Sequence, residues 1–377
     1  MVKIITFDVT GLFGRDESVR LKFNDDINII TGRNGSGKTS VLKLLWYVMS
    51  GNILLALKEV DFKRIRLVTD LYDCTVHRLS KNTCKIDWLQ DGKLREFTDV
   101  EDHEGDVFFN AEDEANKYLQ SLGSSIFLPT FRRIEGGFTM SDRDQPPFAR
   151  NARGRSEVED SLVTLSGRLS NRKHVFVASL STVDIVDLLF KKYTELSEQY
   201  NSLQQKTSQE VIKRIRDFKS DKGEQSGALQ LDEAYRVLDE VRQQIESVEG
   251  SRETIMRPIE AVRELVMRLF KHSGIQLGKI SFGEAAGAVN SDMLSAGEKQ
   301  MLSFISYNAF YQDAVFIIDE PELSLHVDWQ RQLFPTLMSQ KTSNQFVIAT
   351  HSPFIYGKYP DKELQIDTDR GDQGASE

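Results

Sequence analysis

Two runs in this chain carry residue types suited to phosphate chemistry: Gly32-Arg33-Asn34-Gly35-Ser36-Gly37-Lys38-Thr39 and, far downstream, Phe316-Ile317-Ile318-Asp319-Glu320. The first fits the spacing G-x-x-x-x-G-K-[ST], in which glycines let successive backbone N–H groups turn toward one anion. Lys38 then reaches the β- and γ-phosphates of a nucleoside triphosphate, and Thr39 offers its hydroxyl to Mg²⁺. The second run ends in two carboxylates. Asp319 suits the Mg²⁺ shell, reached through water, and Glu320 suits a general base for the attacking water. Each run has a bland reading when taken alone, a glycine-rich turn or a strand that happens to end in acids. Together they imply a nucleoside triphosphate and Mg²⁺, with Gly32, Arg33, Asn34, Gly35, Ser36, Gly37, Lys38, Thr39 and Ser40 as the nucleotide-binding set.

The flanking elements must place these groups side by side. Asp26 to Thr31 reads as a short buried strand and Ser40 to Met49 as an apolar helix, so the glycine-rich run is a strand-to-helix turn with a helix N-terminus facing the phosphates. Ala314 to Ile318 is a continuous apolar run of β-favouring residues, the pattern of a central parallel strand. Open α/β sheets bind ligands beyond the carboxyl ends of their strands, which brings Asp319 and Glu320 to the phosphate loop.

Leu294-Ser295-Ala296-Gly297-Glu298-Lys299-Gln300, a short way before Glu320, resembles the signature of ABC-type ATPases in the form seen in the SMC, RecF and OLD branches. Pro321 to His326 resembles the D-loop of that family, and Phe346 to Pro353 a strand leading into its switch histidine, His351. The resemblance implies a head-to-tail homodimer that sandwiches two ATP molecules. In it the signature residues Ser295, Ala296, Gly297 and Glu298 serve the partner's ATP in trans, Ser295 and Gly297 meet its γ-phosphate, and Lys38, Glu320 and His351 act catalytically in cis. Ser295 also reads as an ordinary helix N-cap, with Glu298 completing a capping box, and the two readings are compatible. His326 reads as structural, since Val327 stands where related chains carry proline. A Q-loop glutamine is harder to find. Gln90 sits in an apparent hairpin turn and reads as a surface position; the alternative is Arg132 or Arg133, coupling nucleotide to the middle of the chain or bridging in solvent to Glu135.

Composition narrows the class. At 377 residues, 40% hydrophobic and 28% charged, the chain suits one large domain with an insertion. No run spans a bilayer and no signal pattern opens the chain, so a cytoplasmic protein without a membrane segment is expected. Cys74 and Cys84 match neither a zinc site nor a redox pair, and the Cys-x-x-Cys hook of one related branch is missing. The net charge of −9 does not indicate nucleic acid. Arg143, Arg150, Arg153, Arg155, Arg168, Arg172 and Lys173 form a local basic stretch that could touch a nucleic-acid phosphate backbone but reads more simply as a polar loop.

The expected architecture is α/β: an ABC-type P-loop nucleotide-binding domain, with a β-rich N-terminal lobe and a mostly parallel core sheet, and an inserted helical domain. The divisions are 1–140, holding the phosphate loop; 141–272, a polar loop and the helical insertion; and 273–377, holding the signature, the Asp319-Glu320 strand, the D-loop and His351. Thr182 to Phe270 reads as two or more long helices around Lys222–Gly227, packed as a compact lever too short and too irregular for the arms of SMC proteins. OLD nucleases continue past the switch histidine into a TOPRIM domain. Here only a polar tail with Asp367, Asp369 and Asp372 follows, so an ATPase without its own effector is expected. Stand-alone ATPases of this build resemble those of the Septu, PARIS and retron-associated anti-phage systems. That implies a sensor and scaffold, dimeric or larger, controlling a separate nuclease or toxin. The alternatives are a RecF-like repair ATPase that clamps DNA and, less well matched by the helical insertion, a transporter subunit.

Overall fold

The computed structural model describes residues 2–101, 107–130, 133–134, 157–180, 182–220, 227–269 and 295–366. They fall into two units, Met1–Ser181 with Asp292–Glu377, and Thr182–Ser291.

The first unit is built on two six-stranded sheets. One is antiparallel, ordered β2 (Ser18–Lys22), β1 (Ile4–Thr10), β4 (Arg64–Thr69), β5 (Asp73–Arg78), β6 (Cys84–Gln90), β7 (Lys93–Thr98). Its strands bury alternate residues, as in Ile65, Leu67 and Thr69 of β4, because only one face packs on the core. Asp91 and Gly92, at φ 50° and 73°, make the tight turn between β6 and β7, and Gln90 stands at its edge.

The other sheet is ordered β12 (His174–Phe176), β10 (Ser125–Leu128), β14 (Val315–Asp319), β15 (Gln345–Ala349), β3 (Ile27–Thr31), β16 (Glu363–Gln365), and every pairing in it is parallel. Residues of β3, β10, β14 and β15 are buried throughout, as expected where both faces are covered. Two short ladders complete the strands: β8 (Val100–Glu101) with β9 (Val107–Phe109), and β11 (Arg133–Ile134) with β13 (Ser179–Leu180). The helix Lys38–Ser50 fills the space between the sheets, its Trp46 stacked 5.6 Å from Phe127. Cys74 and Cys84 are buried free thiols, and burial pushes both well above the ordinary thiol range.

Part of the basic stretch that reads as a loop is a helix, Glu157–Leu169, carrying Arg168. Arg172 and Lys173 are exposed just before β12, while Arg143, Arg150, Arg153 and Arg155 lie outside the described residues.

In the second unit, helices Thr182–Ser220 and Gly227–Leu269 run antiparallel, since Arg214 pairs with Glu240 and Arg252 lies 5.9 Å over the ring of Tyr200. At 1.5 Å per residue each is roughly 60 Å long, an arm rather than the expected compact lever. Its sparse apolar positions suffice to join one helix to one other. Lys222 to Ser226, the turn read from sequence, lie outside the described residues. No helix among the described residues is long and apolar enough to cross a membrane.

Candidate nucleotide site

Register assembles the site. Ala349 of β15 is the partner of both Asp319 of β14 and Ile30 of β3, and Leu128 of β10 pairs with Ile318. The carboxyl ends of four adjacent strands therefore finish level, delivering Thr130, Asp319, His351 and the phosphate loop to one edge of the sheet.

The loop passes from β3 into the helix Lys38–Ser50, whose N-cap Gly37 has φ 99°. A side chain there would be strained, and its Cβ would meet the Phe13 ring at 3.0 Å and Leu12 at 3.2 Å. The turn Gly11–Gly14 before β2 thus presses on the phosphate loop, with Phe13 itself at φ 55° and held through Asp61 O, 2.9 Å from its N. Lys38 is buried, and its Nζ donates to Gly32 O at 2.8 Å and Arg33 O at 2.9 Å, which fixes the ammonium over the loop. Arg33, Asn34 and Gly35 form the exposed tip; Thr39 and Ser40 open the helix, half-buried.

Asp319 is buried at the end of β14, and the hydroxyl of Thr130 donates to its Oδ2. Glu320 follows at φ 47°, its N–H donating to Ala349 O at 2.8 Å, so this carboxylate leaves the sheet through a left-handed residue locked to the neighbouring strand. His351 donates its backbone N–H to Glu322 Oε1 at 2.7 Å. Burial holds its imidazole below the ordinary pKa of 6.5, helped by the Lys38 ammonium and opposed by Glu322 and Asp319. That coupling places His351, Lys38, Asp319 and Glu322 within one electrostatic neighbourhood.

Two observations test the fit of Mg²⁺ and phosphate. Ser36 Oγ is buried inside the loop with no hydrogen-bond partner among the described residues, a polar group suited to a phosphate oxygen. The side chains expected to hold the metal, Thr39 and Asp319, are a hydroxyl and a carboxylate, hard oxygen donors of the kind that Mg²⁺ takes.

Ser295 caps the helix Ala296–Phe310 in a full capping box: Glu298 N donates to its Oγ at 3.3 Å, and Glu298 Oε2 accepts from Ser295 N at 2.8 Å. Ser295 and Ala296 are exposed, while Gly297 is buried so tightly that a Cβ would lie 2.7 Å from Ser324 O. His326 caps the helix Val327–Ser339 through Nδ1, 3.4 Å from Asp328 N, a structural role.

Three contributors escape the sequence reading. Thr130 follows the strand examined for Arg132 and Arg133; Arg132 lies outside the described residues and Arg133 enters β11. Glu322 and Gln300 sit inside the motifs, but only the packing reveals their bonds to His351 and to Pro321 O.

Residues 97–356, more than half the chain, match the AAA_21 family, described as an AAA domain, putative AbiEii toxin, Type IV TA system. The span takes in Ser295, Asp319, Glu320 and His351 and begins after the phosphate loop. The chain is also similar to Endonuclease GajA from Bacillus cereus (strain VD045), at 40% identity over 63 residues, which is 15% of this chain and 11% of that protein. Among solved structures it is similar to the Smc head domain with an extended coiled coil bound to the C-terminal domain of ScpA from Pyrococcus furiosus, at 12% identity and TM-score 0.39, covering 95% of this chain and 92% of that one. The SMC head domain from Thermotoga maritima is similar at 10% identity and TM-score 0.35, covering 94% and 91%.

Proposed function

Because the chain belongs to the AAA_21 family of AAA domains, we propose that this P-loop ATPase is an ATP-dependent sensor and scaffold that closes as a head-to-tail homodimer and controls a separate effector, a nuclease or toxin, in anti-phage defence. The observation that carries the catalytic part is the level finish of β10, β14, β15 and β3, which gathers Lys38, Asp319 and His351 beside one phosphate loop. Lys38 binds the β- and γ-phosphates, Glu320 takes a proton from the attacking water, and neutral His351 donates a ring N–H to a γ-phosphate oxygen. Thr39 and Asp319 would hold Mg²⁺, which when bound neutralises charge on the phosphate oxygens.

The dimer is supported by the exposed Ser295 end of the signature helix, where the positive end of the helix dipole favours an anion outside its own chain. The defence role is supported by the family description, which names a putative AbiEii toxin and a Type IV TA system, and by the short match to GajA. Purifying Glu320→Gln in Mg-ATP from its native host tests the reading. A partner protein that is retained with ATP and released with ADP is expected; DNA retained with no protein partner would favour a DNA clamp instead.

A further inference from the structure

We propose that Glu322 is a positioning residue for His351 and the link through which the signature helix acts on it; the second half rests on the reading that Ser295 serves a neighbouring chain's ATP. Glu322 holds His351 by its backbone N–H, at 2.7 Å, and not by the imidazole. A charge-assisted bond to the main chain sets where the ring stands without consuming a ring nitrogen. The second oxygen, Oε2, is buried with no hydrogen-bond partner among the described residues, so the carboxylate is aimed at this one donor at a desolvation cost.

The other side of Glu322 is tied to the signature helix. Gln300, fully buried on that helix, donates from Nε2 to Pro321 O at 3.0 Å. Three residues earlier, Gly297 packs against the backbone of Ser324 closely enough that no side chain fits. The intervening turn is stiff: Glu320 and Ser324 are left-handed at φ 47° and 69°, and Leu323 N–H and Leu325 N–H donate to Glu320 O at 3.3 Å and Glu322 O at 3.0 Å. Gln330 braces it from behind, donating to Leu325 O at 2.8 Å while its Oε1 accepts from Ser352 Oγ at 2.6 Å. A movement of the signature helix N-terminus therefore reaches Pro321–Ser324 by direct contact, and through Glu322 the residue that meets the same chain's γ-phosphate. Closure of one ATP site is thereby reported to the other.

The test is a double-mutant cycle on the full chain, reading turnover at saturating Mg-ATP, affinity for a fluorescent ATP analogue, and mass in solution with ATP. Glu322→Ala is expected to slow turnover about tenfold or more while affinity stays within about twofold. Glu322→Gln, whose amide oxygen can accept the same N–H, should retain most of the rate. The Glu322→Ala/His351→Ala double variant should be no slower than His351→Ala alone. Gln300→Ala, which leaves the nucleotide residues in place, should also slow turnover at unchanged affinity, and it serves as the second probe where Glu322→Ala does not fold. Wild-type turnover in Glu322→Ala, or losses that multiply in the double variant, would overturn the positioning role. Wild-type turnover in Gln300→Ala would overturn the link to the signature helix. A chain that stays monomeric in ATP would remove the trans half together with the proposed function, whereas the Glu322–His351 cycle reads a pair within one chain and is decided separately.

Discussion

At the scale of single residues, Lys38 and Gly37 concentrate the most function in the fewest atoms. Lys38 is the buried cation of the loop, so Lys38→Ala should weaken ATP binding by about a hundredfold or more, roughly 2.7 kcal/mol, with the fold intact by circular dichroism. Gly37→Ala adds a methyl against Phe13 at a strained φ; it should lower both ATP affinity and thermal stability, as a titration and a melt of the same sample would show. His351 carries a pH signature. Its pKa lies below 6.5 because of burial and Lys38, so it is neutral at pH 7 and gains a proton only as pH falls below the ordinary histidine range. The kcat/KM of wild type, which reports the free enzyme, should therefore have an acid limb displaced below pH 6.5, and His351→Gln should abolish that limb. Lys38, Asp319 and Glu320 are legible in sequence because fixed spacing announces them. Thr130 and Glu322 are not, since what defines them is a partner in another strand or loop.

At the scale of elements, β3, β14 and β15 follow from their continuous apolar runs, and the capping box of Ser295 and Glu298 from a four-residue pattern; both kinds of signal are local. The register that levels the strand ends is not local. Nothing in Ser125–Leu128 announces that Leu128 will lie beside Ile318, and so nothing announces that Thr130 will reach Asp319. The helix Glu157–Leu169 is similarly hidden under polar residues that suggest a loop. One element interface is open to titration: His174 of β12 is fully buried, its Nδ1 2.8 Å from Ser125 Oγ of β10, and burial lowers its pKa to about 4. The native state then holds fewer protons than the unfolded state between pH 4 and 6.5. Stability is thus intact above 6.5 and declines as pH falls toward 4, by on the order of 3 kcal/mol for this group. Urea unfolding at pH 7.5 and 5 should show a smaller loss in His174→Gln than in wild type.

At the scale of the whole molecule, the helical unit, Thr182–Ser291, begins where the composition turns to Glu, Gln, Lys, Arg and Leu, and not at 141, where the insertion is expected to begin. The form of the helical unit was less legible, because irregular apolar spacing does not distinguish a compact lever from an antiparallel arm of helices 39 and 43 residues long. The central claim is that one chain supplies a phosphate loop and a signature that belong to different ATP molecules. Light scattering on Glu320→Gln with and without Mg-ATP, and on the same variant carrying Ser295→Arg, tests it most directly. The mass should double with ATP in the first protein and remain that of a monomer in the second, although both bind the nucleotide. A Glu320→Gln chain that stays monomeric in saturating ATP, or a Ser295→Arg chain that dimerises as well, would contradict it.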